Sequence, residues 1–303
     1  MSTPGFTLNH EVVETPPRPS ATVLMLRDGD AGLEILMQRR SDESDVLGGA
    51  YVFPGGKIDR EDGDDDMLER IDRSAAELQS ALGDPALDAR AAAACFVAAA
   101  RETFEEAGVL LAVSAGGAPA DAALAAEATR LSREGFAFIE VLEHLDLHLT
   151  VGALTPWSRW VTPRMPSLAR KRFDSRFFLA RVPHDQVARH DDREATDSVW
   201  LAPRRALERF AERKIMLAAP QLMSLFELSA HPNVDAAIGS AALRWPRRID
   251  PMPFEHDGTR AVAYPGDPRH AEQRPVMPGP TRLVFRDGRF EPVGGVQELF
   301  SRA

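Results

Sequence analysis

Residues 101–111 read RETFEEAGVLL, and the reading of this stretch decides the fold. Glu105 and Glu106 follow Glu102 by three and four positions, so in a helix all three carboxylates project from one side. Like charges on one face repel, and Arg101, four positions before Glu105, offsets only part of that repulsion. Such a face is either a solvated surface or a holder of cations. Gly108 supplies the stop that ends the helix.

Working outward, ARAAAACFVAAARETFEEAG is rich in alanine and predicts one long helix, with Asp88 as its N-cap. Cys95 falls on that helix with nothing electropositive beside it, so a packing role is expected. Upstream, ATVLMLRDGDAGLEILMQRR predicts strand, turn and strand, and AYVFPGGKI predicts a short strand broken at Pro54-Gly55-Gly56. Residues 59–88 are acidic, with a helix expected over 66–82 that Gly83 and Pro85 stop. Helical patterns continue from 109 to 149, where His144 and His148 have a metal-compatible i,i+4 spacing but lack an obvious third ligand. SRWVTP and RFDSRFFLARVP predict strands, and DDREATDSVWLAPRRALERFAERK predicts a loop, a strand and a helix. The chain beyond 230 is rich in proline, with a hairpin expected at Asp287-Gly288.

Two distant pieces, VFPGGKID at 52–59 and RETFEEAGV at 101–109, together resemble the signature of the Nudix hydrolase family, G-x5-E-x7-R-E-U-x-E-E-x-G-U. Arg101, Glu102, Glu105, Glu106, Gly108 and Val109 match its second half, and Gly55 and Gly56 match the turn that opens it. Thr103 stands where an apolar residue is usual. Between Gly56 and Arg101 lie 44 residues where the pattern has 13, so about 31 are inserted. The pattern's first glutamate has thereby lost its fixed spacing; Asp62 and Glu61 are both candidates for its place. A box split here is similar to the Nudix subfamily that includes the peroxisomal coenzyme A diphosphatase.

The resemblance implies a Nudix-type α/β/α sandwich with a mixed sheet, an insertion inside the box and a C-terminal extension. The expected organisation is a loose arm over 1–19, a Nudix domain over 20–230 with its insertion at about 60–88, and an extension of unknown role over 231–303. It also implies metal-dependent hydrolysis of a diphosphate linked to another moiety. Substrate and nucleophile are both anionic, so carboxylates serve by holding Mg²⁺ or Mn²⁺, which favour hard oxygen ligands. By this resemblance Glu102, Glu105 and Glu106 are the ligands with the backbone carbonyl of Gly55. Glu102 is a candidate general base, Glu105 shares the catalytic work, and Arg101 orients a glutamate. Glu194 and Asp197 lie where relatives often carry a further base or ligand. Arg164, Arg170, Lys171 and Arg172 are candidate substrate contacts, against the usual reading of a basic run as solvated surface.

Coenzyme A-hydrolysing members carry R-S-x3-R-x3-G-x3-F-P-G-G. Arg40, Ser41, Gly49 and Phe53 to Gly56 fit that element, whereas Asp45 replaces its second arginine. Arg40 is therefore a candidate substrate contact. Three readings follow: a diphosphatase of coenzyme A or its acyl esters, one of ADP-ribose or dinucleotides, and a catalytically silent Nudix fold used for sensing or protein contact. Silent members usually lack the glutamates, and all three stand here.

The net charge of −10 argues against a nucleic-acid polymer as partner, but not against a small nucleoside diphosphate derivative. One cysteine allows no intrachain disulfide. No apolar run is long enough for a membrane span, and the N-terminus does not read as a signal peptide. The closing SRA is not the usual Ser-Lys-Leu peroxisomal address, so a cytoplasmic protein is expected, with a homodimer as one compatible assembly.

Overall fold

The computed structural model describes residues 5–44, 47–165, 168, 171–188 and 195–301. Its framework begins with strands β1 (Arg18–Gly29) and β2 (Gly32–Arg40), followed by β3 (Tyr51–Val52) and β4 (Gly55–Lys57). β1 pairs antiparallel with β2 at one end and with β4 at the other. The continuous apolar run in β1 reflects burial on both faces. Ala21, Val23 and Met25 enter one core, while Leu24 and Leu26 enter a second on the opposite face.

A 3₁₀ turn, Glu61–Gly63, then leads through α1 (Asp65–Leu68) and α2 (Ala75–Leu82) to α3 (Ala89–Ala107). The single helix expected over 66–82 is in fact broken. Asp72 N–H donates to Leu149 O and Leu149 N–H donates to Arg70 O, so the chain near Ile71 makes sheet-like bonds instead of helical ones. Ser74 restarts the helix through a capping box with Glu77, and Gly83 closes it in the left-handed conformation. Asp88 caps α3 by accepting from Ala91 N–H, and Gly108 ends it at φ 66°. The long helix over RETFEEAG is therefore present with both expected caps.

The stretch expected to be helical from 109 to 149 holds α4 (Ala122–Arg133) and α5 (Phe138–His144) between two paired strands, β5 (Ala112–Ser114) and β6 (Leu147–Leu149). His144 ends α5 and His148 lies on β6, so the i,i+4 pair does not share a helix.

The main sheet is completed by β7 (Thr155–Val161), β8 (Phe173–Arg181) and β9 (Ala195–Leu201). β8 runs parallel to β1 and antiparallel to β7, so the sheet is mixed. α3 covers one face. Helices α6 (Pro203–Ala211), α7 (Ala219–Leu228) and α8 (Val234–Ala242) pack on the other, through residues such as Phe210, Leu222 and Ala237.

After α8, β10 (Arg247–Ile249) joins the main sheet beside β7. An antiparallel sheet follows, formed by β11 (Met252–His256), β12 (Thr259–Ala263), β13 (Arg282–Arg286) and β14 (Arg289–Pro292). Its last hairpin turns at Asp287-Gly288, with φ 45° and 81°, as the dipeptide predicts. Val262, Tyr264, Leu283 and Phe290 share the second core with Leu24 and Trp157, so this sheet is packed on the framework.

The inserted residues also contribute to the core. Met67, Leu78 and Leu82 are buried with the apolar side of α3. Asp84 joins Arg159 of β7 and Arg176 of β8 at 2.7 and 2.6 Å. The segment is not the detachable excursion that its position inside a motif suggests.

Candidate active site

The close approach of β4 to α3 creates the site. Gly55 has φ +156°, and a Cβ there would lie 2.3 Å from Ala21 O, so only glycine fits beside β1. A Cβ on Gly56 would meet the Glu102 carboxylate at 2.4 Å. The two glycines thus let the turn lie directly on the carboxylate face of the helix. Glu106 Oε2 accepts the Gly55 N–H at 2.8 Å, and Gln38 Nε2 donates to Glu106 O at 2.7 Å.

Arg101 organises the remaining groups. Nε and Nη2 donate to the two oxygens of Asp62 at 2.8 and 3.0 Å. Nη1 donates to Glu102 at 2.8 Å and to Glu105 at 3.0 Å, and Nη2 also reaches Lys57 O at 2.9 Å. Asp59 lies 3.5 Å from the same guanidinium. Burial alone would lower the Arg101 pKa, but Asp62, Glu102 and Glu105 hold it well above the ordinary value. Thr103, the departure from an apolar position, is fully buried and donates to Ala99 O at 2.7 Å, so its hydroxyl is satisfied within the helix.

Negative charge is in surplus. Asp59, Asp62, Glu102 and Glu105 face one arginine. Burial pushes the Glu102 carboxyl up to about 7, with Arg101 opposing the shift and Glu105 and Asp62 adding to it. Burial raises Glu105 as well, again against the pull of Arg101. Hard oxygen donors with uncompensated charge fit a divalent cation such as Mg²⁺ or Mn²⁺. Among the described residues, no three acidic, histidine or cysteine groups already stand in a metal-holding arrangement. Glu102 and Glu105 face the guanidinium, and Glu106 faces the Gly55 N–H.

The other sequence candidates are placed less centrally. Arg40 directs Nε and Nη2 to the Ser44 hydroxyl at 3.2 and 3.0 Å. Arg172 donates to the carbonyls of Thr162 and Thr15 at 3.0 and 3.1 Å, pinning the N-terminal arm to β7. Arg164 pairs with Glu14 on the surface at 3.4 Å. Asp197 accepts from the Tyr51 hydroxyl at 3.2 Å. Asp45, Arg170 and Glu194 lie outside the described residues. The residue that sequence reasoning left open is Asp62, and its signal was its place six positions after Gly56. Cys95 is buried in the helix core, its thiol pushed up to about 11 by burial, in keeping with packing.

A mixed sheet between helical layers, with a glycine turn laid on an arginine-ordered carboxylate helix, is the architecture of the Nudix class. The model of the NUDT19 Nudix domain matches residues 11–228. The acyl-coenzyme A diphosphatase NUDT19 of Xenopus laevis is 28% identical over 225 residues, covering 64% of this chain and 59% of the relative. Its human counterpart is 29% identical over 230 residues, covering 65% and 61%. The chain therefore spans about three fifths of the length of these curated relatives. A crystal structure of a Nudix hydrolase from Alicyclobacillus acidocaldarius is 29% identical with a TM-score of 0.61, covering 77% of this chain and 99% of that one. The chain belongs to the NUDT19-type family of Nudix hydrolases.

Proposed function

We propose that the protein hydrolyses the diphosphate linkage of coenzyme A or its acyl esters, giving 3′,5′-ADP and a phosphopantetheine product. The observation that carries this reading is the surplus of carboxylates that Arg101 gathers against the Gly55-Gly56 turn. The substrate class is supported by the names of the relatives and by the Arg40-Ser41 to Gly56 element in this chain.

Glu102, Glu105, Glu106 and the Gly55 carbonyl are the groups that would hold Mg²⁺ or Mn²⁺. When bound, such an ion neutralises diphosphate charge and lowers the pKa of a coordinated water. The chain's own residues supply the rest. Glu102, its side chain only 12% exposed at the turn, would accept the proton of the attacking water. Arg101 keeps Glu102 and Glu105 on one side of the helix, and Asp62 in turn fixes Arg101. The water oxygen forms a new bond to phosphorus as the bridging P–O bond breaks.

In this proposal the ligand is a small nucleotide derivative and the protein acts in the cytoplasm; among the described residues no helix is long and apolar enough to cross a membrane. The test is hydrolysis of coenzyme A, octanoyl-coenzyme A and ADP-ribose with Mg²⁺ or Mn²⁺, with products identified by mass. Chelator should abolish turnover. Glu105→Gln should lower kcat at least roughly a hundredfold, the scale of losing one positioned electrostatic group. Near-normal turnover in that variant overturns the metal assignment.

A further inference from the structure

A cavity of about 240 Å³ opens on the face of the main sheet opposite α3. Trp160 and Phe177 wall it from β7 and β8, and the first turn of α7 contributes Ala219 and Gln221. Tyr264 and Phe290 wall it from the C-terminal segment. All four aromatic residues belong to the second core, so the chamber is apolar and built from rigid elements. Lys171 is the sole charged side chain among its described lining residues.

Its position connects this chamber to the active site. Thr22 lines it and also pairs in register with Gly55, and the Thr22 hydroxyl oxygen lies 3.0 Å from where a Gly55 Cβ would stand. The cavity therefore abuts the glycine turn of the active site. Its apolar walls suit a neutral, largely apolar chain. They do not suit a phosphate.

We propose that this cavity holds the acyl arm of the substrate, and that β12 and β14 of the C-terminal sheet thereby set acyl-chain preference. This inference rests on the coenzyme A reading above for the identity of the arm. It assigns residues 231–303 a part in specificity and none in the chemical step.

The probe is S-octanoyl-pantetheine, which has no diphosphate, titrated calorimetrically into the full-length protein without metal. Wild type should bind it. Ala219→Trp, which fills the chamber from the start of α7, should weaken binding roughly tenfold or more, the scale on which apolar pockets discriminate by size. The kcat/KM ratio of octanoyl-coenzyme A to coenzyme A should fall in Ala219→Trp. If wild type binds the probe but cleaves neither coenzyme A species, the cavity stands as an acyl-chain site and the diphosphatase reading falls. If octanoyl-coenzyme A is cleaved while the probe does not bind and Ala219→Trp leaves the ratio unchanged, the cavity assignment is overturned and the diphosphatase reading stands.

Discussion

Asp62 grips Arg101 with both carboxylate oxygens across 39 positions of sequence, at 2.8 and 3.0 Å. Asp62 is 1% exposed, and it also accepts the Asp59 N–H at 2.8 Å. The bond fastens the start of the insertion to the helix that resumes the motif. It leaves Nη1 of Arg101 for Glu102 and Glu105.

Asp62→Asn keeps the shape but leaves the buried guanidinium short of one counter-charge. Stability should fall by about 3 kcal/mol, as when one partner of a buried pair is removed. Arg101 should then lean further on Glu102 and Glu105, so kcat should fall more than KM rises. Urea melts and steady-state kinetics check both, and Asp62→Glu should restore part of each. Wild-type stability and kcat in Asp62→Asn would show that the pair neither anchors nor positions.

The two glycines of the turn should separate folding from activity. At Gly55 an added Cβ runs into the Ala21 carbonyl at 2.3 Å, a backbone atom that cannot step aside. Gly55→Ala should cost about 3 kcal/mol of stability. At Gly56 the atoms nearest the added Cβ are those of the Glu102 side chain, at 2.4–2.5 Å. Gly56→Ala should therefore fold nearly as wild type while kcat falls on the order of a hundredfold, because a catalytic group is displaced. Equal melting temperatures for the two variants would contradict this division.

What was legible in the sequence follows from the range of the forces involved. α3 could be read to its ends because Asp88 and Gly108 are local capping signals, and the apolar run of β1 marked a strand. The break between α1 and α2 was not legible, since it depends on hydrogen bonds between Asp72, Arg70 and Leu149 on a distant strand. The three glutamates and Arg101 are neighbours in sequence and were found together. Asp62 was ambiguous beside Glu61 because only packing buries one of them: Asp62 is enclosed and Glu61 is exposed. The cavity wall at Tyr264 and Phe290 joins strands far from the motif, and no periodicity announces it.

Selectivity among diphosphate substrates should respond to charge at position 45. Asp45 stands where the coenzyme A element carries a second arginine, so a carboxylate replaces a cation in that element. Asp45→Arg should raise kcat/KM for coenzyme A more than for ADP-ribose, because a positive charge favours the substrate bearing the extra phosphate. Both substrates assayed on both proteins at one ionic strength give the comparison. A tenfold wild-type preference for ADP-ribose, unchanged in the variant, would remove coenzyme A from the proposal and leave the family assignment intact.

The insertion should prove necessary for folding, with Asp84 as its most sensitive point. Its carboxylate accepts from Arg159 and Arg176 and from Ala86 N–H, with its side chain only 10% exposed. Burial raises the Asp84 pKa, but the Ala86 bond and the two arginines together outweigh it and hold the carboxyl below its ordinary value of 3.8. A depressed folded pKa means that the ionised form stabilises the fold. That contribution is present above about pH 4 and is lost as the pH falls through the folded value. Asp84→Asn should cost about 3 kcal/mol at pH 7, chiefly by taking from the buried Arg176 its 2.6 Å counter-charge, with Asp174 at 3.4 Å left beside it. As the pH falls below 4 towards that lowered value the contribution shrinks, so the gap between the two proteins should narrow. Urea melts of both at pH 7 and pH 3 measure that gap. A constant difference would mean that Asp84 stabilises through packing and not through its charge. A short Gly/Ser linker replacing 60–86 would remove Asp62, Met67, Leu78, Leu82 and Asp84 at once, and that variant should fail to fold.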